Sequence, residues 1–232
     1  KLCCVLVGLP ARGKTYIARK IARYMNWLGV RCQVFNVGQY RRQMCGFALP
    51  HSFFDPLNAD AERQREGAAR ACLEDMLRWL LGDKENMCAV YDATNSTEKR
   101  RLMIMEACRQ ANVHLIFIES VCGDEEVIEE NVKMVKTSSP DYQHLTNRDE
   151  SVSDFMERIA HYERIYEAVD PNCAVPVVRL IDLGKRYEIY GLAREGGLCS
   201  KARLTHFLIN LQPKLGPIYV CRHGESDFNL AQ

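Results

Sequence analysis

The residues with the clearest chemical meaning form the run GLPARGKT, from Gly8 to Thr15. This run fits the pattern GxxxxGK[ST], and it lies between a short apolar run and an amphipathic segment. The glycines let the backbone curl so that successive N–H groups point at phosphate oxygens, and the following helix adds the partial positive charge of its N-terminus. In such a loop Lys14 reaches the terminal phosphates, and the Thr15 hydroxyl coordinates Mg²⁺. The spacing therefore predicts a site for a nucleoside triphosphate.

A second candidate is Asp92, which directly follows the apolar run Met87–Tyr91. Ligand-binding groups of open parallel sheets lie at the carboxyl ends of strands, where this carboxylate is predicted to lie. Asp92 is suited to hold Mg²⁺, directly or through water, or to act as base for an attacking hydroxyl. The alternative is that it caps the next helix, a role for which nearby threonine and asparagine side chains compete.

Several arginines fall where a predicted strand or loop meets a helix. These are Arg41, Arg42, Arg65, Arg100 and Arg101. Farther along, Arg158 and Tyr162 are four residues apart and share one face of a predicted helix. Guanidinium forks suit bidentate recognition of phosphate, although each arginine taken singly also fits a solvated surface charge. Together these residues predict an ATP- and Mg²⁺-dependent phosphotransferase with an anionic acceptor.

Another motif, Arg222-His223-Gly224, follows the apolar run 218–221. It matches the nucleophile turn of histidine phosphatases, in which the histidine takes a phosphoryl group and the arginine neutralises it. The partner histidine and the acid of such a site lie downstream of that turn. We therefore expect no phosphatase activity from these residues alone.

The elements that must position these side chains are predicted from the alternation of short apolar runs with amphipathic segments. The predicted strands are 2–7, 32–36, 87–91, 113–119, 177–182 and 218–221. The predicted helices are 14–28, 60–81, 98–111, 124–135, 152–168 and 201–211. This order predicts an α/β, doubly wound fold with a mainly parallel sheet, helices on both faces, and the first four strands in its centre. We expect irregular connections at 38–58 and 137–151, and a hairpin through Arg186–Tyr190.

Composition excludes several classes of protein. The 232 residues carry 31 Lys+Arg against 30 Asp+Glu, so the net charge of +1 disfavours a dedicated nucleic-acid module. No run approaches the roughly 20 apolar residues of a membrane span, and the first residues make a poor signal peptide. The 11 cysteines contain no CxxC pair, which favours buried free thiols over a zinc site or a disulfide scaffold. We expect a cytoplasmic protein.

Seven sequence blocks in one order resemble the bifunctional 6-phosphofructo-2-kinase/fructose-2,6-bisphosphatase family. The blocks are GLPARGKTY (8–16), FNVGQYRR (35–42), DATN (92–95), IESVC (118–122), SSPDY (138–142), DFMERI (154–159) and CRHGES (221–226). The resemblance implies a P-loop kinase-like domain over residues 1–212 and the start of a histidine-phosphatase domain over residues 213–232. It also implies a homodimer that phosphorylates fructose 6-phosphate at its 2-hydroxyl with ATP and Mg²⁺. The product, fructose 2,6-bisphosphate, is a regulator of glycolysis, and the longer protein is expected to hydrolyse it as well.

The resemblance also implies roles for individual residues. The ATP site would comprise Gly8, Leu9, Pro10, Ala11, Arg12, Gly13, Lys14, Thr15, Tyr16, Asn131 and Lys136. The sugar phosphate would be bound by Arg41, Arg65, Thr94, Arg100, Lys136, Arg158 and Tyr162. Lys14, Asp92 and Cys122 match catalytic positions, although the residues alone indicate a buried structural thiol at Cys122. In the phosphatase start, His223 matches the phosphohistidine, and Arg222 and Asn229 match bisphosphate contacts.

Two alternatives keep the nucleotide site but change the function. One is a P-loop kinase for another small acceptor, which a panel of acceptors would distinguish. The other is a non-catalytic nucleotide-binding or dimerisation module, in which ATP only orders the chain.

Overall fold

The computed structural model describes residues 1–142, 148–193 and 198–211. The strands are β1 (Leu2–Val7), β2 (Arg31–Asn36), β3 (Asn86–Asp92), β4 (His114–Val121), β5 (Val177–Ile181) and β6 (Arg186–Tyr190). The helices are α1 (Lys14–Trp27), α2 (Val37–Cys45), α3 (Ala59–Gly82), α4 (Glu98–Gln110), α5 (Glu125–Ser138), α6 (Arg148–Glu163) and α7 (Leu198–Ile209). Short 3₁₀ turns lie at His51–Phe54 and Asp182–Gly184.

The strands form one sheet in the order β2-β3-β1-β4-β5-β6. The first five strands are parallel, and β6 pairs antiparallel with β5 as the predicted hairpin. The chain winds outward from β1 in both directions, so the carboxyl end of β1 is flanked by the ends of β3 and β4. In open α/β sheets this is the place where ligands bind.

A hydrophobic core covers each face of the sheet, because side chains alternate along β1. Cys3, Val5 and Val7 pack on one face with residues of α3 and α4. On the other face Cys4 and Leu6 pack with residues of α1 and α7. The two-layered helical cover confirms the predicted doubly wound fold, and β1 is buried on both sides.

The structure corrects three predictions. Strand β2 lies at an edge of the sheet and alternates between buried and exposed residues, so of the first four strands only β1, β3 and β4 lie inside the sheet. Helix α2 occupies part of the stretch expected to be irregular, and it begins because the side chain of Asn36 accepts a hydrogen bond from the backbone N–H of Gln39 at 3.1 Å. Helix α6 ends at Glu163 instead of residue 168. The remaining element ends differ from prediction by a few residues, and the predicted strand 218–221 lies outside the described residues.

Nine cysteines are free thiols in the described part of the chain, and most are buried in the two cores. This agrees with the prediction that thiols fill hydrophobic positions. Across the described ranges, no helix combines the length and the apolar character needed to span a bilayer.

Candidate active site

The loop that joins β1 to α1 is held in a glycine-dependent conformation. Gly8 has φ 137°, and a Cβ atom on it would lie 2.4 Å from the backbone oxygen of Ser120 on β4. Gly13 has φ 73° where helix α1 begins. Residues with side chains rarely adopt such φ values, and the contact with Ser120 leaves no room for one. The predicted strand, glycine loop and helix are therefore present, with Lys14 in the first turn of α1.

Three hydrogen bonds attach this loop to neighbouring elements. The Ser120 hydroxyl donates to the Arg12 carbonyl at 2.6 Å, and the Asn131 amide of α5 donates to the Ala11 carbonyl at 3.0 Å. Arg12 in turn donates through Nε to the Cys122 carbonyl at 3.1 Å. Because loop carbonyls are bonded to β4 and α5, the loop is braced from that side.

Lys14 is buried in the first turn of α1, and its ammonium donates to the Leu9 carbonyl. Burial lowers the pKa of Lys14 to about 7. The carboxylate of Asp92 opposes this shift, while the positive charges of Arg12 and Arg158 add to it. An anion beside Lys14 would restore its charge, as expected of a lysine that binds phosphate.

Asp92 ends β3, and its Oδ2 atom accepts two hydrogen bonds. The Thr15 hydroxyl donates to it at 2.8 Å, and the Asn36 amide donates at 2.5 Å. Hydroxyl and carboxylate oxygens are ligands that Mg²⁺ takes, usually together with phosphate oxygens of a substrate. Within the described ranges no group of three or more His, Cys, Asp and Glu side chains is arranged to hold a metal alone. Thr15 and Asp92 thus fit Mg²⁺ as partial ligands that a nucleotide would complete.

Three arginines converge on one buried carboxylate, that of Asp141. Arg41 and Arg42 of α2 approach its Oδ2 atom at 2.5 and 3.4 Å, and Arg158 of α6 approaches it at 3.8 Å. The Arg158 guanidinium also lies 3.7 Å from the ring centre of Phe54, in a cation–π contact. Burial and the like charge of Arg158 lower the pKa of Arg41. The cluster gathers positive charge in a poorly solvated place.

Two further predicted arginines line the same cavity. Arg65 donates to the Phe53 carbonyl, and burial lowers its pKa. Arg100 donates to a single oxygen of Glu66, Oε1, at 3.1 Å from Nε and 2.6 Å from Nη2. The predicted residues Thr94 and Tyr162 lie on the wall beside them.

One cavity of about 1690 Å³ joins these parts. Its wall contains most of the predicted site residues, namely Pro10, Ala11, Arg12, Gly13, Lys14, Thr15, Tyr16, Arg41, Arg65, Asp92, Thr94, Arg100, Asn131, Arg158 and Tyr162. Leu180, Tyr187 and Leu208 add an apolar wall. The same cavity wall therefore includes both the glycine loop and the arginines around Asp141.

The segment after α6 forms another wall and is fixed by two arginines. Arg101 of α4 donates to the carbonyls of Glu167 and Ala168, at 2.7 and 3.3 Å. Arg179 of β5 donates to the Val169 carbonyl at 2.8 Å and to the buried Glu119 carboxylate at 2.6 Å. Helix α6 ends early because the Glu167 N–H, which a continued helix would bond to Glu163, donates instead to the Ser96 carbonyl at 2.8 Å.

Some predicted site residues lie elsewhere. The Cys122 side chain is packed in a hydrophobic cluster with Ile128 and Tyr142, behind the loop instead of on the cavity wall. Leu9 contributes its carbonyl to Lys14. The Lys136 side chain, as well as Arg222, His223 and Asn229, lies outside the described residues.

The sequence prediction omitted Asn36 and gave no role to Asp141. Asn36 pairs in register with Asp92 at the carboxyl ends of β2 and β3, so the strand-end argument that selected Asp92 would have found it. Asp141 lies in the SSPDY block, but nothing in the spacing indicates that it meets arginines from α2 and α6.

Solved structures with this fold include P-loop proteins. Kti12 of Chaetomium thermophilum, in complex with ADP-AlF3, superposes with a TM-score of 0.55 at 16% identity, covering 90% of this chain and 97% of the other. The Mycobacterium tuberculosis APS kinase CysC, in complex with AMPPNP and APS, gives 0.52 at 14% identity, with coverage of 90% and 97%. At these identities the likeness concerns the fold alone.

Sequence comparison is more specific. The human 6-phosphofructo-2-kinase/fructose-2,6-bisphosphatase 3 is 41% identical over 229 residues, which are 97% of this chain and 43% of the relative. The Gallus gallus 6-phosphofructo-2-kinase/fructose-2,6-bisphosphatase is 42% identical over 228 residues, 97% of this chain and 47% of the relative. The chain thus spans less than half the length of these relatives. The family profile described as 6-phosphofructo-2-kinase matches residues 1–214, and the chain belongs to that family.

Proposed function

We propose that this chain transfers the γ-phosphoryl group of ATP to the 2-hydroxyl of fructose 6-phosphate and so forms fructose 2,6-bisphosphate. The observation that carries the proposal is the single cavity in which the loop around Lys14 faces the arginines around Asp141. The family membership and the names of the relatives support the choice of acceptor.

The loop end of the cavity is the proposed nucleotide site. Backbone N–H groups of a glycine loop and the N-terminus of α1 favour phosphate oxygens. The bound nucleotides of the two solved neighbours, ADP-AlF3 and AMPPNP, support the same use of this fold. The apolar wall at Leu180, Tyr187 and Leu208 is available to the less polar part of a nucleotide.

The arginine end is the proposed acceptor site. A sugar monophosphate carries close to two negative charges at neutral pH, which bidentate guanidinium groups are suited to bind. Arg41, Arg65, Arg100 and Arg158 are proposed to hold this phosphate and orient the sugar, with Thr94 and Tyr162 beside them. The positive charge of Arg158 lowers the pKa of Lys14, so charges at the two ends of the cavity are close enough to interact.

In the transfer, the 2-hydroxyl oxygen forms a bond to the γ-phosphorus while the bond to the β–γ bridging oxygen breaks, and ADP leaves. Lys14 stabilises the negative charge that develops on the phosphoryl oxygens. Thr15 and Asp92 are proposed to hold Mg²⁺, which neutralises phosphate charge when bound. We propose Asp92 also as the acceptor of the hydroxyl proton, and both roles use the same carboxylate.

Formation of an acid-labile bisphosphate from fructose 6-phosphate and Mg-ATP tests the function directly. We expect this product from the wild-type chain, and little from fructose or other acceptors without a phosphate. In Lys14→Met the product should be lost while the circular dichroism spectrum stays unchanged. The matched control is Lys20→Met on the same helix, where Lys20 lies over the Tyr16 ring and outside the cavity wall.

Three results would contradict this function. Full activity in Lys14→Met would exclude the proposed nucleotide site. A preference of the wild-type chain for an unphosphorylated acceptor would exclude the proposed use of the arginines. Stabilisation by Mg-ATP without product from any sugar phosphate would favour a binding module instead.

We further propose that the chain is the kinase part of a longer bifunctional protein. The proposed boundary places the kinase domain at 1–212 and the start of a phosphatase domain at 213–232, with His223 as phosphohistidine and Arg222 and Asn229 as bisphosphate contacts. The names of the relatives support hydrolysis of fructose 2,6-bisphosphate by that longer protein.

We also propose a cytoplasmic homodimer, and the free buried thiols are compatible with a reducing compartment. Size-exclusion chromatography with light scattering tests the dimer.

A further inference from the structure

Around Asp141, three positively charged side chains share one buried carboxylate. Guanidinium groups from two helices, those of Arg41, Arg42 and Arg158, all approach the same carboxylate oxygen. Arg41 and Asp141 are each about one-twentieth exposed, so water screens this cluster poorly. Without a nearby anion, these like charges would repel one another strongly.

One carboxylate satisfies the cluster only partly. The Nη1 atom of Arg41 and the Nε atom of Arg158 are buried donors without a hydrogen-bond partner in the described protein. The Oδ1 atom of Asp141 is likewise a buried acceptor without one. Buried polar atoms are normally paired, so the two unpaired donors indicate a second acceptor beside the Asp141 carboxylate, which leaves both of them unbonded. A phosphate group has enough acceptor oxygens to bond both donors.

The charge balance points the same way. The guanidinium groups stay protonated at neutral pH, so three of them against one carboxylate leave a net charge of about +2. A phosphate monoester carries roughly −1.5 to −2. All four residues line the cavity that also contains Arg65 and Lys14. An incoming phosphate would therefore meet guanidinium groups that Asp141 already partly occupies.

We propose that Asp141 is an internal counter-anion of the acceptor site, which holds the arginines together in the free protein and competes with the substrate phosphate for them. This inference rests on the proposed function, because it takes that phosphate to be the one on fructose 6-phosphate. Asp141 is a positioning residue: it acts through the arginines, lending stability to the free protein while weakening the binding of anions.

The test is Asp141→Asn, which keeps the shape of the side chain and removes its charge. We expect the thermal midpoint of the free variant to fall. We expect its affinity for inorganic phosphate, measured by isothermal titration calorimetry, to rise about tenfold, because a repulsive charge near the anion is gone. The KM for fructose 6-phosphate should fall by a similar factor, with the KM for ATP unchanged. A merely structural role would lower stability without tightening the binding of phosphate.

The matched control is Asp75→Asn, because the Asp75 carboxylate of α3 accepts from Tyr40 of α2 at 3.0 Å and neither residue lines the cavity. It should leave phosphate affinity and both KM values unchanged. If Asp141→Asn does not fold in a neutral buffer, the proposal requires that phosphate in the buffer restores its folding. An unfolded variant in phosphate, or a folded variant with unchanged or weaker phosphate affinity, would overturn the proposal. Absence of bisphosphate formation by the wild-type chain would instead overturn the proposed function, while the phosphate titration would still test Asp141.

Discussion

Binding of Mg-ATP should be accompanied by uptake of a proton, because Lys14 is buried with a pKa of about 7. At pH 7 about half of the free protein carries the charged lysine, and at pH 8 only about one-tenth does. A triphosphate beside the ammonium favours the charged form and returns the pKa toward its ordinary value near 10.5. The expected uptake is therefore about 0.5 proton at pH 7, about 0.9 at pH 8 and about 0.1 at pH 6.

Isothermal titration calorimetry measures this uptake when the same titration is repeated in buffers of different ionisation enthalpy. The reference is Lys14→Arg, because a guanidinium stays charged over this pH range and takes up no proton. The difference between wild type and the variant removes any proton exchange of the nucleotide itself. Equal uptake in both proteins at pH 8 would refute the reasoning.

The lowered pKa of Lys14 also determines whether the free energy of unfolding rises or falls with pH. The native state holds fewer protons than the unfolded state between pH 7 and 10.5, so this residue makes the free energy of unfolding rise with pH in that window. Below pH 7 the full cost of burying the charge is present. The wild-type chain should therefore gain stability relative to Lys14→Met as the pH increases from 7 to 10. Urea titrations at several pH values measure the difference, and a constant difference would contradict the assignment.

Three further predictions concern single side chains. Gly8→Ala should abolish stabilisation by Mg-ATP in thermal melts, because the new Cβ would lie 2.4 Å from the Ser120 oxygen; an unchanged shift would show that the loop tolerates it. Gly67→Ala should stabilise the chain by about 0.5–1 kcal/mol in urea titrations, because Gly67 lies within the continuous helix α3. The new Cβ would meet only the flexible end of Met44 at 3.8 Å. A loss of stability would contradict this prediction. Arg158→Lys should raise the KM for fructose 6-phosphate about tenfold without changing the KM for ATP. The reason is that lysine lacks both the planar contact with Phe54 and the second donor of the guanidinium. A KM for fructose 6-phosphate equal to that of the wild type would speak against a role of Arg158 at the acceptor.

The local parts of the fold and site were predictable from sequence. The strand, glycine loop and helix from β1 to α1 follow from one motif, because its spacing carries both the turn and the helix start. Asp92 follows from its place at the end of an apolar run. In each case neighbouring residues determine the structure, so a single sequence is enough to read it.

The other parts depend on contacts between distant segments. Helix α2 was missed because Gly38 and the later prolines favour loops. The side chain of Asn36 nevertheless caps the N-terminus and allows the helix to begin. The edge position of β2 follows from the order of strands, which its own residues do not specify. The meeting of Asp141 with arginines of α2 and α6 bridges up to 100 positions of sequence and needs the whole fold.

The segment between Glu167 and Val169 adjoins the cavity wall, which Glu167 lines, and it is fixed by residues outside the cavity. Its carbonyls are bound by Arg101 of α4 and Arg179 of β5, and Arg179 is joined in turn to Glu119 inside the sheet. Loss of either arginine would free backbone next to the cavity wall, although neither side chain lines that wall. Under the proposed function, a defect in binding the acceptor can therefore originate in a residue that does not line the cavity.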